Sequence, residues 1–226
     1  MTEEMKLLSI GVTIEEDYPV DVLKATITIK GDRDTKQECA EAYNAHLREV
    51  RSELSAMGIP EDDVRNRDFH VRTRVKRLYE KREYDRYFEA ATELDGYSFE
   101  AHLDVRCEAT SEMAKRVWTA LVRCGDEVAF CLHFYLKDYD AAKKGMLARA
   151  VAEGRERADL LAAAAGARVT GIHSIEYEYL PYDNCHESGM YGDASAPISL
   201  SDAPEFNPED ISLSCTVQMQ WRMEAV

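Results

Sequence analysis

Leu8, Ile10, Val12 and Ile14 alternate with small or polar residues, and Leu23, Ala25, Ile27 and Ile29 do so again after the interruption EEDYPVD. A period of two marks a half-buried strand, and two such runs parted by a short polar stretch predict an opening hairpin. Thr35 and Glu38 then stand at capping-box spacing. Behind them Tyr43, Leu47, Val50, Leu54 and Met57 recur at steps of three and four until Gly58 and Pro60, which predicts a first helix.

Phe69, Val71, Thr73 and Val75 alternate, and so do Tyr97, Phe99, Ala101, Leu103, Val105 and Cys107. These predict two more strands flanking a charged stretch, with Asp95 and Gly96 as a turn pair. Ser111 is placed to cap a second helix through Ala114, Val117, Trp118, Leu121 and Val122, closed by Gly125. Val128, Phe130, Leu132, Phe134 and Leu136 give a fifth strand.

A third helix starts near Asp138 or Asp140 and ends at Gly166. Its predicted inner stripe is Leu147, Ala150, Val151, Gly154, Ala158, Leu161 and Ala165, while Arg149, Glu153 and Arg157 form an opposite-sign ladder on another face. Side chains this small let the helix axis approach whatever it covers, a sheet of its own or another subunit. Alanine keeps the local helix propensity high despite the lost volume. A strand around Ile172 to Tyr179 follows, and a last one alternates through Ile211, Leu213, Cys215, Val217, Met219, Trp221 and Met223. Between them, residues 181–210 lack periodicity and are rich in Pro, Gly, Ser and acid.

The order β-β-α-β-β-α-β-α-β-β predicts an α+β fold with three helices laid on mainly antiparallel sheet. It reads as one domain over 1–226, or two interlocked subdomains, with a charged hairpin arm at 76–96 and an acidic irregular loop at 181–210.

Three landmarks in order carry a family resemblance: GYSFEAHLDV, the Ala-rich ARAVAEGRERADLLAAAAGARV followed by GIHSIEYE, and a terminal alternating strand after an irregular loop. With the helix exit SAMGIPEDDVRNRDFHV, the chain resembles the SIMPL domain family over roughly residues 7–224. It departs from it in having no export signal and in showing Val20-Asp21 where Pro-Asp is common after the first strand. The resemblance implies a widespread bacterial family, largely uncharacterised, that includes envelope antigens assembling into ring-like oligomers and an animal relative linked to signalling-kinase association. It supplies no catalytic residues to carry over.

Charge narrows the partners. A net charge of -15 opposes general affinity for phosphate backbones or anionic lipid, so neither nucleic acid nor membrane is expected as a partner. The opening MTEEMK has no signal-peptide character, which points to a cytoplasmic protein. Val169 to Trp221 holds no Lys or Arg, whereas Arg65 to Arg86 holds nine. Charge runs ordinarily face water; here they also suggest the basic hairpin of one copy docking on the acidic loop of the next, in a homo-oligomer or with another protein partner. Arg77, Tyr79, Arg82, Tyr84, Arg86 and Tyr87 are the candidate subunit contacts.

Candidate chemistry is sparse. Six cysteines without a CxxC pair read as buried reduced thiols. Cys185, His186 and His173 fall short of a zinc-ligand pattern, so no metal and no cofactor is expected. His70, His102 and His133 lie within strands, His102 and His133 on the polar phase. No GxSxG, HExxH, P-loop or Rossmann pattern occurs. The sequence favours a non-catalytic self-assembling or scaffolding module; the alternative is a hydrolase-like small-molecule enzyme with its site between the sheet and the 181–210 loop.

Overall fold

The computed structural model describes the backbone of residues 6–82, 86–179 and 203–226, and the side chains of these except 78–90. Seven strands and three helices run in the predicted order: β1 Lys6–Tyr18, β2 Val22–Arg33, α1 Lys36–Ala56, β3 Arg65–Arg82, β4 Arg86–Glu108, α2 Ser111–Val122, β5 Val128–Tyr135, α3 Tyr139–Ala164, β6 Ala167–Tyr179 and β7 Ile211–Ala225. The fold is α+β, and every strand pair is antiparallel. Among the described residues no helix is long and apolar enough to cross a membrane.

The chain divides into two compact units, one of residues 1–20, 136–186 and 209–226, the other of 21–135 and 187–208. In the first, a three-stranded sheet β1-β7-β6 carries α3. Its core alternates along β1 and β7, where Ile10 faces Met219 and Val12 faces Val217 across the ladder. In the second, the four-stranded sheet β3-β4-β2-β5 packs one face on α1 and α2. Ile29, Ile27 and Ala25 of β2 pair with Val128, Phe130 and Leu132 of β5 and meet Val50 and Leu54 of α1 in one buried cluster.

The opening hairpin does not form. β1 pairs with β7, and β2 pairs with β4 and β5, so the two alternating runs belong to different sheets. The reason lies in Pro19-Val20-Asp21: proline fixes φ and biases the preceding residue to extended backbone, whereas a tight hairpin needs residues that adopt positive φ. The Asp95-Gly96 turn does not form either. β4 runs through it with a bulge, Arg74 facing Gly96 and Val75 facing Leu94. Gly96 has φ of 104°, and a Cβ there would stand 2.7 Å from the Arg33 carbonyl oxygen, so glycine serves close backbone approach and not chain reversal.

Helix starts follow local chemistry. Thr35 Oγ1 accepts from the Glu38 amide at 3.1 Å, and the Glu38 carboxylate accepts from the Thr35 amide at 3.0 Å, completing the expected capping box. The second helix is capped by Thr110 instead of Ser111, through the Met113 amide at 3.1 Å. Asp138 caps α3 through the Ala141 amide at 3.0 Å.

Candidate functional site

Helix α3 lies on its sheet through small residues. Its buried stripe is Met146, Ala150, Gly154, Ala158 and Ala162. Leu161, expected in that stripe, is 47% exposed, and Leu147 is only half-buried, because strict four-residue spacing and not mixed three-and-four spacing tracks the contact line. A Cβ built on Gly154 would lie 1.9 Å from Met219 Cε and 3.4 Å from Val12 Cγ2. The helix thus sits against β7 and β1 with no room for a methyl group. The expected ladder is half realised: Arg157 bonds Glu153, while Arg149 reaches across to Glu16 of β1. Arg149 and the Tyr18 hydroxyl hold the Glu16 carboxyl down to about 2.

Among the described residues, strand β6 is an edge strand with one partner, β7. Two bulges, between Val169 and Gly171 and between Ile172 and Ser174, break its alternation. They bring Ile172 opposite Trp221, Ile175 opposite Met219 and Tyr177 opposite Val217, so all three share the face that carries α3. Yet Ile172 is 39%, Ile175 44% and Tyr177 59% exposed. An apolar row on a free edge is the first candidate interaction surface in the molecule.

The second is the ribbon formed by β3 and β4. Beyond the Arg33–Tyr97 pair, β4 has lost β2, and Val75–Arg82 continues against Arg86–Leu94 as two strands alone for about 26 Å at 3.3 Å per residue. Of the candidate subunit contacts, Arg77 is exposed opposite Thr92, Tyr79 stands opposite Glu89, Tyr87 opposite Lys81, and Arg82 opposite Arg86; Tyr84 lies outside the described residues. At the ribbon's root Val75 and Leu94 are exposed.

The third is polar. An open cleft of about 550 Å³ is lined by Lys30 and Asp32 of β2, His70 and Arg72 of β3, Ser98 and Glu100 of β4, and Glu127 just before β5. Glu127 itself is engaged: Arg33 donates to it twice, at 3.0 and 2.9 Å, and His46 Nε2 donates at 2.9 Å. These bonds, Arg33 foremost, lower its pKa. Gly31 makes space for this carboxylate, since a Cβ there would stand 2.8 Å from its oxygen. His102, expected on the polar phase, bonds Asp68 at 2.7 Å and lowers that carboxyl's pKa. The sequence carries one signal for this cleft outside any motif: the polar phases of β2 and β3, the strands that flank β4, hold Lys30, His70 and Arg72.

Cys39, Cys107, Cys124 and Cys215 are free thiols. Burial pushes the thiols of Cys107 and Cys124 up to about 11 and 12, and raises Cys39 and Cys215 as well. They are protonated at neutral pH and unsuited to nucleophilic work. Cys185, His186 and most of the acidic loop lie outside the described residues, so the zinc and loop-site alternatives rest on nothing visible; among the described residues no group of three potential ligands gathers.

No curated protein matches the chain. Among solved structures, one described as an unknown protein from Galdieria sulphuraria aligns over 88% of this chain and 82% of its own at 10% identity, with a TM-score of 0.25, too low to inform the fold. The family SIMPL, described as "Protein of unknown function (DUF541)", matches residues 9–221. Covering nearly all of both units, that match makes the chain a member of the SIMPL family.

Proposed function

We propose that this SIMPL protein is a self-associating scaffold module whose copies join through the free edge of β6, with the β3–β4 ribbon as a second arm. The observation that carries the reading is the row Ile172, Ile175 and Tyr177, exposed on a 13-residue strand that among the described residues has a neighbour on one side only. Natural edge strands are kept apart by lysines, prolines, bulges or short length, and the two bulges of β6 both precede Ser174, leaving Ser174–Tyr179 in regular register. From Val169 to Tyr179 β6 has neither Lys nor Arg nor Pro. A second copy satisfies both needs of such an edge, since an antiparallel strand supplies the missing backbone partners and a matching apolar row.

The ribbon supports the same reading. Two strands alone are marginal in water. A docking partner removes that penalty, and the acid-rich stretch around 181–210 of a neighbour has the sign complementary to the cations of residues 65–86.

Light scattering after size exclusion tests the proposal. Wild-type protein at micromolar concentration is expected well above the monomer mass of 25.7 kDa, and the double variant Ile175→Lys, Tyr177→Lys is expected at that mass. A monomeric wild type, or a variant that keeps its size, overturns the β6 interface. Charge reversal of Arg77, Arg82 and Arg86 to Glu reads the arm separately, and an unchanged oligomer removes the arm from the interface.

A further inference from the structure

The geometry points to a binding site for a metabolite-sized oxyanion, a phosphate or carboxylate group held by Arg72, His70, Lys30 and Ser98 on the polar face of the four-stranded sheet. The register builds it. Lys30, Glu100 and His70 form one row across β2, β4 and β3, and Asp32, Ser98 and Arg72 form the next. These positions alternate with Ile29, Phe99 and Ala101, which are buried in the cluster with α1 and α2. The six therefore share the face turned away from the helices. Along β3, His70 and Arg72 stand about 6.6 Å apart, and each is about 4.8 Å from β4, so one oxyanion over Ser98 lies within reach of a guanidinium, an imidazole and a hydroxyl together.

The charges in this cleft are unevenly spent. Asp32 is paired with Arg74, which also bonds Asp95 at 2.8 Å, and Glu100 lies 3.8 Å from His102 Nε2. Lys24 and Arg67 share Asp104. Among the described residues, by contrast, no ion pair or hydrogen bond engages the side chains of Lys30, His70 or Arg72. In a chain of net charge -15, two cations, Lys30 and Arg72, that stand without an ion pair beside a hydroxyl and an imidazole mark a place where an anion is accepted. The volume of about 550 Å³ suits a small ligand, whose sites run from about 300 to 1,000 Å³. A polyanion does not fit, because Asp32, Glu100 and Asp68 border the cations within the same face. Arginine grips phosphate and carboxylate alike, so the shared oxyanion chemistry is the claim. This site lies within residues 21–135 and is independent of the β6 edge.

Calorimetric titration of the full chain with sodium phosphate and with sodium acetate, each against sodium chloride at matched ionic strength, tests it. Saturable heat from either anion beyond chloride is expected, the tighter one naming the source. The imidazole NMR signals of His70, identified as those lost in His70→Asn, should shift in step with binding in the wild-type protein. Arg72→Ala is expected to weaken binding at least about tenfold, as loss of a charged hydrogen bond does. Arg106→Ala, an exposed cation elsewhere on β4, is expected to leave it unchanged. The inference is overturned if neither anion saturates, if the His70 signals stay fixed, or if Arg72→Ala binds as the wild type does.

Discussion

The closeness of α3 to its sheet is open to an internal comparison, because two glycines of the same helix have opposite surroundings. Around Gly145 nothing lies within 4 Å of a built Cβ; around Gly154 Met219 Cε lies at 1.9 Å and Sδ at 3.0 Å. Glycine in a helix interior costs up to about 1 kcal/mol relative to alanine, so Gly145→Ala should stabilise by roughly 0.5–1 kcal/mol. Gly154→Ala receives the same helical gain but forces aside the thioether end of Met219, which is 1% exposed and so must repack within the core. Overpacking of this kind costs about 1–3 kcal/mol, leaving a net destabilisation of about 1 kcal/mol. In the Met219→Ala background the obstruction is gone, and Gly154→Ala should turn stabilising. Urea unfolding read by Trp221 fluorescence in a Trp118→Phe background reports on this unit alone, since the chain has two tryptophans. If Gly154→Ala raises the midpoint as Gly145→Ala does, the helix does not rest on β7 at the distance described here.

Two further outcomes follow from the titratable groups. Glu16 is held at about 2 by Arg149 and Tyr18, below its ordinary 4.5, so the unfolded chain binds the extra proton between those values; stability is present above about pH 4.5 and declines as pH falls toward 2. Urea midpoints measured from pH 6 to 2.5 should fall less steeply in Arg149→Ala, and parallel curves would refute the pair's role. Thiol titration with a disulfide reagent at pH 8 should leave Cys39, Cys107, Cys124 and Cys215 unmodified in native protein, with all six cysteines reacting after unfolding. Rapid native modification of Cys124 would contradict its burial.

Much of this architecture was legible wherever one local signal decided the outcome. The capping box at Thr35 and Glu38 and the alternation of β7 needed no tertiary information. Partner choice was not legible: β1 and β2 both alternate, and alternation states which face is buried but not which strand lies beside it. β6 was blurred for a related reason. Val169, Ile172, Ile175, Tyr177 and Tyr179 are spaced by three, three, two and two, and each step of three is a bulge that only the ladder with β7 reveals. The polar cleft draws on three strands distant in sequence, and its residues carry no motif spacing. Leu161 misled because mixed steps of three and four carry the predicted stripe from Ala158 to Leu161, whereas the sheet contact runs from Met146 to Ala162 in strict steps of four.

The sheet order β1-β7-β6 puts the last-synthesised of the described strands in the middle. During translation β1 and β6 therefore emerge with no mutual bonding and wait for β7 to bridge them, while residues 21–135 already contain every strand of their own sheet. Maturation of the protein is thereby ordered by its threading: the four-stranded sheet can pair before β6 is made, whereas the three-stranded sheet closes only once β7 has been synthesised.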